Sequence, residues 1–189
     1  MDRRDFFRRG IGKATEVAVK TVDKRVADRA KHWIRPPFAI AEFEFLLACT
    51  RCNACIDACP YNVIFPLAAR LGADVASTPA LDLLTKGCHL CEDWPCVNAC
   101  EVNALVFTEP DENGAVKIKP FATAEIDTSS CLPYSGPECG ACESVCPIEG
   151  ALVFEQEKPG INLDYCVGCA LCREACIVED KAININTIS

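Results

Sequence analysis

The chain has no cysteine in its first 48 residues, only two histidines and one methionine, and no apolar run near the roughly 18 residues that a membrane span needs. No segment is therefore expected to cross a bilayer. Basic residues are the minority, 19 Lys/Arg against 27 Asp/Glu, for a net charge of −8. That balance speaks against a nucleic-acid partner. There is no Rossmann fingerprint, no flavin-binding loop and no C-x3-C-x2-C arrangement of the radical-generating kind, so an autonomous enzyme is not expected. What is abundant is cysteine, 16 of 189 residues, several-fold above ordinary globular usage. Half of the residues are apolar, which argues against wholesale disorder. The length suits one large domain or two small ones, with the cysteines contributing to the core.

Charge is unevenly distributed. Residues 1–35 carry eleven Lys/Arg and five Asp/Glu, a net of +6, and residues 36–189 carry a net of −14. The basic segment is an appendage on an acidic, cysteine-rich body. It opens Arg3-Arg4-Asp5-Phe6-Phe7-Arg8, similar to a twin-arginine export signature. Such a signature is normally followed by an uncharged apolar stretch, but here Lys13, Glu16, Lys20, Asp23, Lys24 and Arg25 interrupt it. Val19, Val22, Val26, Ala30 and Trp33 fall instead on one face of an amphipathic helix of about twenty residues. The helix is expected to stop before Pro36-Pro37. Cytoplasmic residence is expected, with periplasmic export through the twin arginine as the alternative. The basic face is either solvated or docks on an acidic partner or an anionic membrane surface, making residues 1–35 a possible peripheral membrane contact.

Beyond the prolines the chain repeats. Cys49, Cys52, Cys55 and Cys59, followed by Pro60, have the spacing C-x2-C-x2-C-x3-C-P. Three further groups follow: Cys88, Cys91, Cys96 and Cys100; Cys131, Cys139, Cys142 and Cys146, followed by Pro147; and Cys166, Cys169, Cys172 and Cys176. No cysteine is left over. The text after each fourth cysteine also recurs, as Tyr61–Phe65, Val102–Phe107, Glu149–Phe154 and Lys181–Ile185, and each unit reads as cysteine loop, short helix, then strand.

This spacing is that of 4Fe-4S ligation. Three thiolates from one C-x2-C-x2-C turn reach three corners of a cube, while the fourth, expected at the start of a helix pointing away, ligates the neighbouring cube in two-cluster ferredoxins. Four motifs predict four clusters and make all sixteen cysteines iron ligands. Zinc sites are built from two well-separated cysteine pairs and leave the third and fourth cysteines of each group unexplained. A disulfide scaffold fails because cysteines this dense within one turn are wrongly placed to pair. His89, between Cys88 and Cys91, is expected to be a loop residue rather than a ligand. Trp94, Tyr61, Phe65, Phe107, Tyr134, Phe154 and Tyr165 are expected to form cluster-shielding core, lowering the local dielectric.

Trp33-Ile34-Arg35-Pro36-Pro37-Phe38 ahead of the first motif, with the twin arginine near the start, resembles the NapF/NapG/MauM group of ferredoxin-type proteins over essentially the whole chain. The wide third motif, Cys131-Leu-Pro-Tyr-Ser-Gly-Pro-Glu-Cys139, is similar to the third motif of that group. Cys88-His-Leu-Cys91-Glu-Asp-Trp-Pro-Cys96 looks most like the NapG branch, and the N-terminus looks more like NapF. The resemblance implies service to a periplasmic nitrate reductase or methylamine dehydrogenase system. The implied partners are a molybdenum oxidoreductase catalytic subunit or a quinol dehydrogenase.

The expected fold class is α+β: two tandem ferredoxin-like 2×(4Fe-4S) units preceded by the N-terminal amphipathic helix. The expected division is 1–38 for the basic segment and helix, 39–110 for the first unit and 111–189 for the second. Strand-like text lies at Ala115–Ile118 and Ala124–Asp127. Sequential pairing of motifs is favoured because the longest connection then joins the units. It groups Cys49, Cys52 and Cys55 with Cys100; Cys88, Cys91 and Cys96 with Cys59; Cys131, Cys139 and Cys142 with Cys176; and Cys166, Cys169 and Cys172 with Cys146. The competitor is nested pairing, first motif with fourth and second with third, as in iron–sulfur subunits of complex molybdenum enzymes. The expected function is electron relay to or from a partner oxidoreductase. The alternative is an assembly or maturation factor for such an enzyme, with a structural or metal-storage role behind both. Four oxidised clusters would take the formal charge from −8 to about −16.

Overall fold

The computed structural model describes residues 33–110 and 116–188. The expected N-terminal helix lies outside these residues except for its end, which is not helical: Ile34 forms an antiparallel bridge with Leu81. Trp33 is buried against Leu67, Val75 and Ala80. A proline next in sequence favours extended geometry at Arg35, and the bridge extends that geometry back to Ile34.

The elements are short. Helix α1 runs Glu42–Ala48, with Glu42 and Glu44 in the first turn, where the helix dipole favours acidic groups. Helices α2 (Ala54–Asp57), α3 (Pro95–Asn98) and α5 (Leu171–Ala175) each contain the third cysteine of a motif. In the third motif the corresponding turn is a 3-10 turn at Glu143–Val145, and α4 (Leu132–Ser135) fills the wide gap before it. Helices of four or five residues are unstable in isolation, so these turns depend on tertiary anchoring. The fourth cysteine follows its helix and does not start one: Cys146 and Cys176 are C-terminal caps with extended backbone. The C-x3-C spacing is one helical turn, and Pro60 or Pro147 next in sequence disfavours helical geometry at the cysteine itself.

Among the described residues the strands form three antiparallel pairs. β1 (Ile64–Pro66) pairs with β2 (Pro79–Leu81), β4 (Leu152–Glu155) with β5 (Lys158–Ile161), and β3 (Ala122–Ile126) with β6 (Ile183–Thr187). In the second half β4–β5 is the hairpin between the two cysteine motifs, and β3–β6 joins the flanking ends. The first half repeats this in reduced form. β1–β2 is the hairpin, and the flanking pair shrinks to an Ala39–Leu105 bridge, with Ile40 N–H donating to Ala104 O at 3.2 Å and Val106 N–H donating to Phe38 O at 2.9 Å. Strand-like text at Ala124–Asp127 thus lies in β3 and beyond its end. Of Ala115–Ile118, Val116 forms only an isolated bridge with Pro110, and Ala115 lies outside the described residues.

The largest buried cluster is aliphatic, while Phe45 and Trp33 anchor two smaller ones. Val63, Ile64, Leu81, Leu83, Ala122, Val167 and Ala170 form one buried cluster with Cys59, Cys88 and Cys169, drawing on both halves of the chain. The expected aromatic shield is found in part: Trp94 packs against the cluster that holds Cys55, and Phe154 against the one that holds Cys142. Tyr61, Phe65, Phe107, Tyr134 and Tyr165 are exposed, and Trp94 and Phe154 are half-buried. Of the exposed rings only Phe65 lies in a ribbon, while Tyr61, Phe107 and Tyr165 sit in loops and Tyr134 on the short α4, where little covers them. Some still pair locally: Phe38 packs edge-on against Trp94 and Phe107, with centroids 4.8 and 5.2 Å apart.

One polar group is built into this core. Arg35 donates Nε to Glu42 Oε2 at 2.8 Å and Nη2 to Glu42 Oε1 at 2.6 Å, while Nη1 reaches Thr78 Oγ1 and Pro79 O at 2.8 and 2.7 Å. Trp33 Nε1 donates to the same carboxylate. The guanidinium lies 4.6 Å from the Phe45 ring centroid. The arginine and glutamate side chains are only 9% and 13% exposed, so removing one strands the other's charge. Arg35→Ala is expected to cost about 3–5 kcal/mol by urea denaturation, and Arg35→Met with Glu42→Leu to recover most of it.

Candidate iron–sulfur sites

The cysteine loops have an unusual backbone. Arg51, Asn53, Leu90, Trp94 and Ala170 have positive φ between 44° and 65°, and Gly168 has φ 79°. Non-glycine residues pay about 1–2 kcal/mol each for this region. Turns that pass in and out of the left-handed region aim successive backbone N–H groups into a concavity suited to anions. At Gly168 a Cβ would lie 2.2 Å from Ala122 O, so this loop also presses directly on β3. The first loop is braced by Arg51, which donates Nε to Ala76 O at 3.0 Å and Nη2 to Asp74 O at 2.8 Å.

The loops bring the thiols together in four sets. Cys49, Cys52, Cys55 and Cys100 line one cavity with Phe45, Ala104 and Leu105. Cys59, Cys88, Cys91 and Cys96 line a second with Val63, Ile64 and Trp94. Cys146, Cys166, Cys169 and Cys172 line another with Ala124, Leu152 and Ile161. In the remaining set Cys131 and Cys142 feel the charges of Cys139 and Cys176. Cys176 therefore stands with the third motif and not with Cys49, as sequential pairing requires and nested pairing forbids. None of the sixteen cysteines is in a disulfide. Among the described residues no three His, Cys, Asp or Glu side chains converge on a single metal ion. The thiols line the walls of larger cavities.

Burial dominates the chemistry of these thiols. It pushes Cys55 up to about 12, with the charges of Cys100, Cys49, Cys96 and Cys52 adding to the effect. Burial also takes Cys88 and Cys172 to about 12, and Cys96, Cys142 and Cys169 to about 11. Without metal these groups are neutral thiols at physiological pH. Ligation requires thiolates, so a cationic occupant must supply the missing stabilisation. Four thiols, apolar walls and concave backbone turns fit a 4Fe-4S cluster and offer little to a polar small molecule.

His89 is a loop residue in the structure. It stacks on Tyr61, with centroids 3.5 Å apart and planes at 5°, and its Nε2 lies 4.0 Å from Glu174 Oε2. The left-handed loop residues, Gly87, Glu174 and the Arg35–Glu42 pair were not foreseen. Gly87, directly ahead of Cys88, was a local signal for the contact between halves, since the other motifs have Ala48, Ser130 and Tyr165 in that place. A wide cleft runs along Trp33, Arg35, Phe38, Glu42, Phe107 and Phe121 and contains no thiol.

The fold and the four thiol sets define an iron–sulfur protein of ferredoxin type. Residues 47–65 match the 4Fe-4S binding domain, and residues 87–149 match the 4Fe-4S dicluster domain. The second match takes in the second and third motifs, which lie in different halves, so it registers spacing along the chain rather than which thiols meet. The chain is 35% identical over 165 residues to the ferredoxin-type protein NapG of Haemophilus influenzae, covering 80% of this chain and 58% of that relative. It is 33% identical over 199 residues to the methylamine utilization ferredoxin-type protein MauM of Methylophilus methylotrophus, covering 97% of this chain and 86% of the relative. The ferredoxin-type protein NapF of Escherichia coli is 30% identical over 157 residues, 80% of this chain and 84% of the relative. The chain belongs to this NapG/MauM ferredoxin-type family.

The raised thiols set a pH dependence for the metal-free chain. Folded thiols near 11–12 hold protons that the unfolded chain begins to lose near 9.0, so this contribution to stability is complete below pH 9 and fades as pH rises toward about 12. The urea midpoint of chelator-treated protein is therefore expected to fall as the pH is raised beyond 9.

Proposed function

We propose that this chain is an electron-transfer protein carrying four 4Fe-4S clusters, relaying electrons to or from a partner oxidoreductase such as a molybdenum reductase or a quinol-linked system. The observation that carries the reading is the exchange of cysteines: each thiol set takes three from one motif and the fourth from its neighbour. In this reading Cys49, Cys52, Cys55 and Cys100 hold one cluster, and Cys59, Cys88, Cys91 and Cys96 the next. Cys131, Cys139, Cys142 and Cys176 hold another, and Cys146, Cys166, Cys169 and Cys172 the last. A bound cluster supplies a one-electron redox centre. The polypeptide fixes the thiolates, excludes water with Phe45, Val63, Leu105 and Leu152, and turns backbone N–H groups inward. It needs no substrate site of its own. The division at 38/39 and 110/111 belongs to the same proposal, with two clusters in each unit.

Among the described residues no helix is long and apolar enough to cross a membrane. The +6 charge of residues 1–35 against −14 in the remainder supports docking of that segment on an acidic partner or an anionic membrane surface. We place the chain in the cytoplasm because charged side chains interrupt the stretch after Arg3-Arg4. Recovery of the native protein from the periplasm would overturn that placement.

Anaerobic iron and sulfide counting tests the function directly. About sixteen iron per chain is expected, and fewer than about twelve refutes four clusters. Chemically reduced protein is then expected to be re-oxidised by its partner enzyme at that enzyme's turnover rate. Partner activity restored only by added metal and sulfide would instead indicate an assembly factor.

A further inference from the structure

The two halves meet where the second and fourth cysteine loops touch. Cys88 N–H donates to Cys169 O at 2.7 Å. One residue earlier, Gly87 N–H donates to Glu174 Oε2 at 2.8 Å. Arg173 Nε crosses to Leu84 O at 3.0 Å beside them. The approach is so close that a Cβ on Gly87 would lie 2.9 Å from both Leu171 N and Leu171 Cα, and 2.7 Å from Leu171 Cδ2. Backbone atoms cannot yield as a flexible side chain can. Glycine is required here by space.

The same junction appears in the core. Cys59 and Cys88 of the second thiol set share one buried cluster with Cys169 of the fourth. Cys55 of the first set shares another with Cys96 of the second. Cys142 of the third set packs with Cys166 and Cys172 of the fourth. No core cluster among the described residues joins Cys131, Cys139 or Cys176 to a thiol of the first half. Charge follows the same three links, since Cys55 feels Cys96, Cys88 feels Cys169 and Cys172 feels Cys142. The contacts make one unbranched line.

We propose that the thiol sets form a single electron path in the order first, second, fourth, third, and that Gly87 and Glu174 are positioning residues that set its middle link by holding the Cys88 backbone against Cys169. The inference rests on the four-cluster reading. One electron enters at one end from a reduced protein partner and one leaves at the other to an oxidised partner; no bond forms or breaks, and the backbone link carries no proton. Motif order along the chain is therefore not path order: the third motif is a terminus, as is the first, where Cys52 is the one exposed cysteine of the sixteen.

The test uses the full iron-loaded chain, as wild type, Gly87→Ala and Glu174→Ala, each assayed for iron before a fully reduced EPR spectrum is taken. The wild type is expected to show spin–spin broadening beyond two isolated pairs; purely pairwise coupling overturns the order. Gly87→Ala at full iron content is expected to lose the part of the broadening that links the halves, keeping the coupling within each half, and to slow re-oxidation by a one-electron acceptor several-fold. Unchanged coupling at full iron overturns the role of Gly87. Should Gly87→Ala load poorly, Glu174→Ala adds no bulk and is expected to weaken the same coupling, and its failure to do so overturns the middle link. Wild type with fewer than about twelve iron sinks the four-cluster reading, and this inference with it, at the assay and before any spectrum.

Discussion

The structure depends on one constraint: the fourth cysteine of each motif must leave its own loop and close the neighbouring cavity. Cys59 lines the cavity of Cys88, and Cys100 that of Cys55. A motif therefore cannot complete a site alone, and each pair of motifs has to fold as a unit. The hairpins β1–β2 and β4–β5 set the separation of the paired loops. The one-turn helices set the direction in which the fourth thiol departs. Two-stranded ribbons and four-residue helices have little stability of their own, and the exchange of thiols gives them a reason to hold their places.

The thiol sites explain why a core with few aromatic rings suffices. A void left in a core costs on the order of 24 cal/mol per Å³. The sites here have apolar walls ringed by four thiols, and the thiols set deepest in them are held neutral by burial. An inorganic occupant answers both demands, filling the space and converting thiols to thiolates. Much of what would be side-chain packing in another protein of this length is replaced by ligand bonds, and the exposed aromatic rings can be spared from the interior.

The four motifs were legible because each is written locally, in cysteine spacing and in the apolar text after each fourth cysteine; their pairing is not local, and the connection lengths favoured the sequential arrangement while leaving the nested one open. The contact between halves was not foreseen. Gly87 meets Leu171 across the whole second half of the chain, and a steric requirement at that range leaves no periodicity to read. The backbone at Arg51, Leu90 and Ala170 was equally hidden, because ordinary residues occupy those left-handed positions; only Asn53 and Gly168 carry residue types that signal such a turn. The shielding rings were legible only in part: Trp94 and Phe154 pack beside thiols, whereas Tyr61, Phe107, Tyr134 and Tyr165 lie in loops or on a four-residue helix whose exposure no local pattern announces. Trp33 was assigned to a helix by its spacing, but the prolines and the bridge at Ile34 draw it into extended chain.

The Arg35–Glu42 pair has a mechanical consequence. Glu42 is the first residue of α1, and Cys49 follows directly after the helix's last residue, Ala48. A load applied at Trp33 or Arg35 is thus borne by a stiff two-turn strut whose far end is an outermost thiol. The grip of Thr78 and Pro79 on the same guanidinium spreads that load into the hairpin. A partner that grips Trp33 or Arg35 thus acts one helix away from Cys49, at the end of the cysteine array.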